Sequence, residues 1–474
     1  MPTRLVIVVA CAWCALTGCG SVSPRVGVDP IAVPDAWSVT DDATTSGSSS
    51  LVAWWSRFDD PLLTRLVADA LRANTTVTGA QGALRQARAL REVAAAALLP
   101  TLGSSASVQR SSSASQAGRI TANIFQAGLD ANWELDVFGA NRSALAAGEA
   151  AARASAASLG DVQVSVASEV ALAYVTLRDA QARRAIATAN LSSQQETLQI
   201  TLWRQQAGLV TALEAEQARA AFEQTGALVP ALQVGIEQAG HALAVLTGRP
   251  PAALTALLVA IVPVPQADDD LALSLPAETL RQRADVRAAE HRISVAQALV
   301  GQAEAARLPS FAIGGSLGLA ALTLGTLTNG ASVAGALLGG VSWPVFDGGA
   351  ARARVDVQQA VLDQAVENYR AVALVALRDV EDALVALRGD RLRLARLVIA
   401  ADAASNAALL ARQRYGSGLI DFQIVLETQR TELVTQDSAA SARADVSSDH
   451  VRLYKALGGG WEPDIATDGA STRD

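Results

Sequence analysis

Arg204-Gln205-Gln206-Ala207-Gly208-Leu209-Val210-Thr211 is answered downstream by Arg414-Tyr415-Gly416-Ser417-Gly418-Leu419-Ile420-Asp421, a shift of 210 positions (204 to 414). The same shift carries Val170 onto Val380, Leu177-Arg178 onto Leu387-Arg388, and Trp133 onto Trp343. Leu99-Pro100-Thr101 meets Leu308-Pro309-Ser310 at 209 positions (99 to 308). Self-similarity at a fixed shift across separate landmarks means two copies of one structural unit.

Proline placement shows where long helices can run. There is none between Pro100 and Pro230, and none between Pro344 and Pro463; proline removes a helical hydrogen bond and clashes with the preceding turn. Ala, Leu, Arg, Gln and Glu fill these gaps, all good helix formers. Val170, Leu177, Leu191 and Leu198 follow a seven-residue repeat broken at Arg184, and Val380, Leu387, Leu394, Ala401 and Ala408 follow it in the second copy. That period is the mark of coiled-coil packing. A continuous helix from Ala140 to Ala207 would be roughly 100 Å long at 1.5 Å per residue. It reverses where Gly208 supplies a C-terminal cap conformation and Thr211 is placed to cap the returning helix. Gly418 and Asp421 repeat the device. The returning helix of the first copy contains Pro230 and is expected to kink or break there.

A different texture precedes each long helix. Positions 104–137 are rich in Ser, Gly and Asn, and 311–346 are apolar and rich in Gly. Ile313, Leu317 and Leu319 alternate with small residues, as in a strand with two unlike faces. The recurring glycines, from Gly314 to Gly340, argue against a membrane helix over 311–346. Membrane-spanning strands need about 9–11 residues and alternate lipid-facing with lumen-facing positions. Each region has room for two such strands and a loop. The fold class is therefore α plus transmembrane β: two tandem repeats, each a β-hairpin and a long coiled-coil helical hairpin. Four strands cannot close in lipid, because open edges leave backbone groups unsatisfied in hydrocarbon. Several copies must share one barrel, in a number the physics leaves open.

The N-terminal segment sets the compartment. Arg4 precedes an apolar stretch, Leu5 to Leu16, which runs into Leu16-Thr17-Gly18-Cys19. A short basic region, an apolar core of this length and small residues before the cut make a secretory signal. Leu-Thr-Gly-Cys resembles the lipobox of bacterial lipoproteins, in which cleavage leaves the cysteine first and acylated. Gly20 stands where Asp would favour retention at the inner membrane, which fits outer-membrane sorting. Cys11 and Cys14 form a CxxC, but both lie inside the signal, so only Cys19 is expected in the mature chain. The segment Asp41 to Ser50 reads as a loose tether.

Composition closes off other classes. The net charge is −8 and Lys455 is the only lysine, against the basic face that nucleic acid requires. His241, His291 and His450 belong to no zinc or triad pattern, and no Gly-rich phosphate loop ends in Lys-Ser or Lys-Thr. Asp268-Asp269-Asp270 reads as a solvated linker. No cofactor or metal is expected, and the chain reads as a passive conduit rather than an enzyme. The polar residues of interest follow the second tip: Gln423, Glu427 and Arg430 share one helix face at spacings of four and three. Taken alone they fit either a ring of charge at a pore mouth or a solvated stripe. The apolar tip residues Leu209, Val210, Leu419 and Ile420 go beyond what turn chemistry asks and suggest a docking surface.

Taken together, the lipobox, Trp54-Trp55 with Phe58-x-Asp60-Pro61, the paired tips, Leu246-Thr-Gly-Arg-Pro250-Pro and Leu308-Pro-Ser-Phe311 resemble the TolC-type outer-membrane factors, in particular their lipoprotein, NodT-like branch. The likeness runs over nearly all the mature chain. It implies a homotrimer with a twelve-stranded barrel continued by an α-helical periplasmic tunnel, and an outer-membrane channel of a tripartite efflux system exporting small molecules. It also implies a periplasmic adaptor, an inner-membrane pump, and attachment to outer-membrane lipid through acylated Cys19. In the family, acidic rings and ion pairs narrow the closed entrance, and Glu427 and Arg430 match those positions beside Gln423. The family's tips meet the adaptor's helical hairpins, which gives that role to Gly208, Leu209, Val210, Thr211, Gly418, Leu419, Ile420 and Asp421. Arg283-Ala284-Asp285-Val286-Arg287 departs from the family, which usually has Pro in place of Ala284, and leaves the local helix start open.

The expected divisions are a signal segment 1–18, a lipidated tether 19–58, a first repeat 59–247 with strands in about 99–138 and its tip at 208–211, a linker 248–275, a second repeat 276–457 with strands in about 308–346 and its tip at 418–421, and a tail 458–474. Two other readings share much of this architecture: the duct of a type I protein-secretion system, and a lipid-anchored periplasmic coiled-coil scaffold without a pore. The Gly-rich hairpins argue against the scaffold, which has no use for strands of membrane-spanning length.

Overall fold

A computed structural model describes residues 33–34, 36–37, 51–115, 118–267 and 276–462; Cys19 and Asp268-Asp269-Asp270 lie outside the described residues. The element order is the same in both repeats. The first has α1 (Pro61–Ala73), α2 (Thr75–Ala96), β1 (Thr101–Ser115), β2 (Gly118–Leu135), α3 (Ala140–Gln206) and α4 (Ala212–Leu246). After the short α5 (Thr255–Leu258), the second has α6 (Pro276–Gln282), α7 (Ala284–Ala305), β3 (Ser310–Ala321), β4 (Val333–Ser342), α8 (Ala350–Gly416) and α9 (Phe422–Ala456). Both α3 and α8 are 67 residues long, and both α4 and α9 are 35.

The chain divides into two compact units, and the first contains the sheet. Its order is β1-β2-β3-β4, antiparallel throughout, so β2 pairs with β3 across the boundary between repeats. Among the described residues, one side of β1 and one side of β4 carry no strand. The register sorts side chains into two unlike faces, because neighbours across a ladder share a face. Leu102, Val108, Phe125, Leu129, Trp133, Phe311, Ile313, Leu317, Leu337 and Val341 fall on one face; Ser105, Ser107, Gln126, Asp130, Asn132, Glu134 and Ser316 fall on the other. This is the alternation of a lipid-facing and a lumen-facing surface. The stretch 311–346 thus forms strands, as its glycines imply. The first hairpin exceeds the expected 9–11 residues: β1 has 15 and β2 has 18. The reason is that β3 stops at Ala321, opposite Phe125, while β1 and β2 continue as a two-stranded ribbon.

The repeat is visible in single hydrogen bonds. Trp133 donates its indole N–H to the Leu98 carbonyl at 3.0 Å, and Trp343 donates to the Arg307 carbonyl at 3.2 Å. Such tryptophans suit the edge of an apolar band, where one end is buried in lipid and the other is wet. Asp136 accepts from the backbone N–H groups of Asn141 and Arg142 at the start of α3, and Asp347 accepts from Ala351 and Gly349 at the start of α8. The N–H groups of Ala351 and Gly349 hold the Asp347 carboxyl below its usual range.

The second unit holds the main core. Trp54, fully buried, stacks on Tyr454 with ring centroids 5.4 Å apart, and Phe58 meets Tyr454 edge-on. Asp60 caps α1 by accepting from Leu62 and Leu63, with Pro61 as the first helical residue. Its other oxygen accepts from the Tyr174 hydroxyl at 2.7 Å. The Trp-Trp…Phe-x-Asp-Pro motif is therefore a packing and capping unit. Buried Arg178 bonds Tyr174, Gln181 and the Ala260 carbonyl.

Two expectations need correction here. Of the kink or break expected at Pro230, the break is absent, since helix α4 continues through it; one lost hydrogen bond, about 3 kcal/mol, does not outweigh the rest of a 35-residue helix. Thr211 and Asp421 stand at the cap positions with extended backbone, but neither side chain accepts a cap hydrogen bond. Both residues are exposed, so water can satisfy the first-turn donors. Without proline, α7 still begins at Ala284: Asp285 Oδ1 accepts from the Val286 N–H and from Arg283 Nε.

Candidate functional site

Four helix ends share one device. Gly208 and Gly418 terminate α3 and α8 with φ near +70°, and each closes two backbone bonds. Gly208 donates to the Gln205 carbonyl and Leu209 to Arg204; Gly418 donates to Tyr415 and Leu419 to Arg414, all at 2.9 Å. These are Schellman motifs. Gly248 and Gly458 end α4 and α9 in the same way.

Within the tips the side chains separate into two kinds. Leu209 and Leu419 are 71% and 74% exposed. Val210 and Ile420 are half-buried, and Ile420 packs on a cluster of Ala218, Ala411, Tyr415, Phe422 and Val425. Arg204 of the first tip reaches the second: it donates to the Tyr415 carbonyl at 3.0 Å and lies 4.5 Å from that ring's centroid. Gln423, Glu427 and Arg430 are all exposed on α9, opposite buried Phe422, Val425 and Gln429. Among the described residues, no ion pair joins Glu427 to Arg430 within the chain.

A polar stripe that the sequence reading missed lies beside them. Arg183 pairs with Asp437 at 2.7 Å, Asn190 with Gln436 at 2.8 Å, and Thr197 with Gln429 at 2.9 Å. With Arg204 these positions on α3 recur every seven residues (183, 190, 197, 204) and stitch the first helical hairpin to the second. Their seven-residue spacing on α3 is legible in the sequence, but their partners on α8 and α9 are not. Farther along α9, Asp449 is nearly fully buried. Burial pushes its carboxyl up to about 6, against the opposing pull of Arg452.

A membrane-type sheet with free edges, two long helical hairpins and exposed apolar tips define the class: an outer-membrane channel subunit with a helical conduit. The chain belongs to the outer membrane efflux protein family, whose model matches residues 66–249 and 275–459. It is similar to nodulation protein T of Rhizobium leguminosarum bv. trifolii, 28% identical over 94% of this chain and 96% of that protein. It is 31% identical to the toluene efflux pump outer membrane protein TtgF of Pseudomonas putida, over 86% of this chain and 85% of that one. The solved structure of the outer-membrane channel OprN superposes with a TM-score of 0.84 at 35% identity, covering 91% of this chain and 98% of that chain. The protein is thus the outer-membrane channel component of an efflux system.

Proposed function

We propose that three copies of this chain close one twelve-stranded barrel, held to the outer membrane also through acylated Cys19, with hairpin tips that receive a periplasmic adaptor coupled to an inner-membrane pump. The observation that carries the reading is the sheet itself: four strands, one apolar face, one polar face and two unpaired edges. Helix α8 supports the oligomer, because Val385, Leu392 and Ile399 are exposed at heptad spacing and call for a neighbouring helix. Purified full-length protein is expected to run as a trimer in detergent and to give discrete single-channel steps in planar bilayers. A monomer without conductance would overturn the barrel.

Gln423, Glu427 and Arg430 act as the periplasmic gate in this reading. Around a threefold axis they form rings of amide, carboxylate and guanidinium, and charged rings at a constriction tune passage. Glu427→Gln combined with Arg430→Gln is expected to raise single-channel conductance severalfold. Unchanged conductance returns the residues to a solvated stripe. For the anchor, Cys19→Ser should abolish incorporation of radiolabelled palmitate; continued labelling would sink the lipoprotein claim.

A further inference from the structure

The four strands carry only four charged side chains, Arg110, Arg119, Asp130 and Glu134, and the register segregates them by sign. Asp130 and Glu134 share the polar face. Arg110, opposite Asn123, and Arg119, opposite Ala114, fall on the face of Val108, Phe125 and Leu129, which meets lipid.

Their height can be worked out from the ladder. On the apolar face β2 runs ten residues from Leu135 to Phe125 (135 to 125). At ~3.3 Å per residue that is about 33 Å along the strand, or about 25 Å of height at the ~40° tilt of membrane strands, which matches an outer-membrane apolar band. Arg110 lies two positions beyond Val108, about 5 Å above the band's edge by the same conversion. Ala114, level with Arg119, lies six positions beyond Val108, about 15 Å above it. Strands β1 and β2 join helices only at the opposite end, so the ribbon points away from the periplasmic side. No acidic residue occurs in the ribbon or in the 322–332 connection of the second hairpin, and both arginines are exposed. A guanidinium is built for bidentate phosphate recognition; Arg110 stands at headgroup height, where an outward arginine costs little, and Arg119 stands above it on the same face.

We propose that Arg110 and Arg119 form an outward-facing basic girdle that holds the phosphate groups of outer-leaflet lipid. The inference rests on the barrel reading, and single-channel conductance of each variant tests that reading separately. The experiment is native mass spectrometry of the full-length protein released from vesicles containing either diphosphorylated lipid A or its dephosphorylated form. The intact protein should retain the phosphorylated lipid preferentially. Arg110→Gln with Arg119→Gln should lose that preference by about thirtyfold, since each arginine near a charged surface contributes about 1 kcal/mol. Arg110→Lys with Arg119→Lys should fall between the two, since an ammonium keeps the charge but not the bidentate geometry. Equal retention by the Gln variant, or displacement of the lipid by inorganic phosphate alone, would overturn the assignment.

Discussion

Leu209→Asp combined with Leu419→Asp should cripple export while leaving the folded channel intact. Both side chains are more than two-thirds exposed, and surface changes of this kind usually move stability by no more than about 0.5 kcal/mol. Against a docked adaptor the arithmetic changes. Burying a leucine is worth about 1.5–3 kcal/mol, so losing two per chain weakens adaptor binding on the order of a hundredfold or more. A charged group forced into the same interface adds desolvation cost. The expected result is export as low as in a strain lacking the chain, with unchanged trimer mass and unchanged conductance in bilayers. Full export by the double variant would remove the tips from the docking surface. Altering Ile420 instead would confuse the test, because it belongs to the Tyr415–Phe422 cluster.

Gly248→Ala should be strongly destabilising, and Gly208→Ala only mildly so. Both glycines end a long helix with φ near +70°, which costs an alanine roughly 1–2 kcal/mol. At Gly208 a Cβ meets nothing within 4 Å, whereas at Gly248 it would clash with the Ala73 carbonyl oxygen. Backbone cannot swing aside as a side chain can, and overpacking adds about 1–3 kcal/mol. The loss at Gly248 should therefore be about 3 kcal/mol or more. Denaturant midpoints of the helical unfolding transition measure the difference. Equal losses at the two sites would mean that the Ala73 contact relaxes freely. The second repeat keeps the arrangement: a Cβ at Gly458 would meet the Arg283 backbone at 3.1 Å, and Ala73 and Arg283 are themselves related by the 210-residue shift.

That shift explains why so much of the fold could be read from residues alone. Glycines, prolines and tryptophans leave legible marks because each has a restrictive backbone or interface chemistry. Gly208 and Gly418 mark the reversals, and Trp133 and Trp343 mark the strand ends. Side-chain hydrogen bonds are less legible. Thr211 and Asp421 are the right residue types at the right positions, yet exposed tips let water do the capping. Pro230 announces a break that the surrounding helix absorbs. Arg178 and Arg388 align perfectly by the repeat, but the first is buried in a hydrogen-bonded network and the second is exposed. Sequence symmetry fixes the backbone more firmly than the environment. The polar stripe of Arg183, Asn190, Thr197 and Arg204 depends on which residues of α8 and α9 stand opposite, and spacing within one helix cannot supply that.

The pairing of β2 with β3 has a kinetic consequence. Leu135 must find Phe311, and the whole first helical hairpin lies between them in sequence. Closing a loop of that length costs entropy before any ladder bond repays it, and such long-range contacts slow folding. The central seam of the sheet is thus expected to form late, after the local hairpins and the coiled coil. Until then the chain exposes four strand edges rather than two, each a template for wrong pairing. A newly exported subunit must therefore be shielded until membrane and sister chains are at hand, so that barrel closure, insertion and assembly become one event in time.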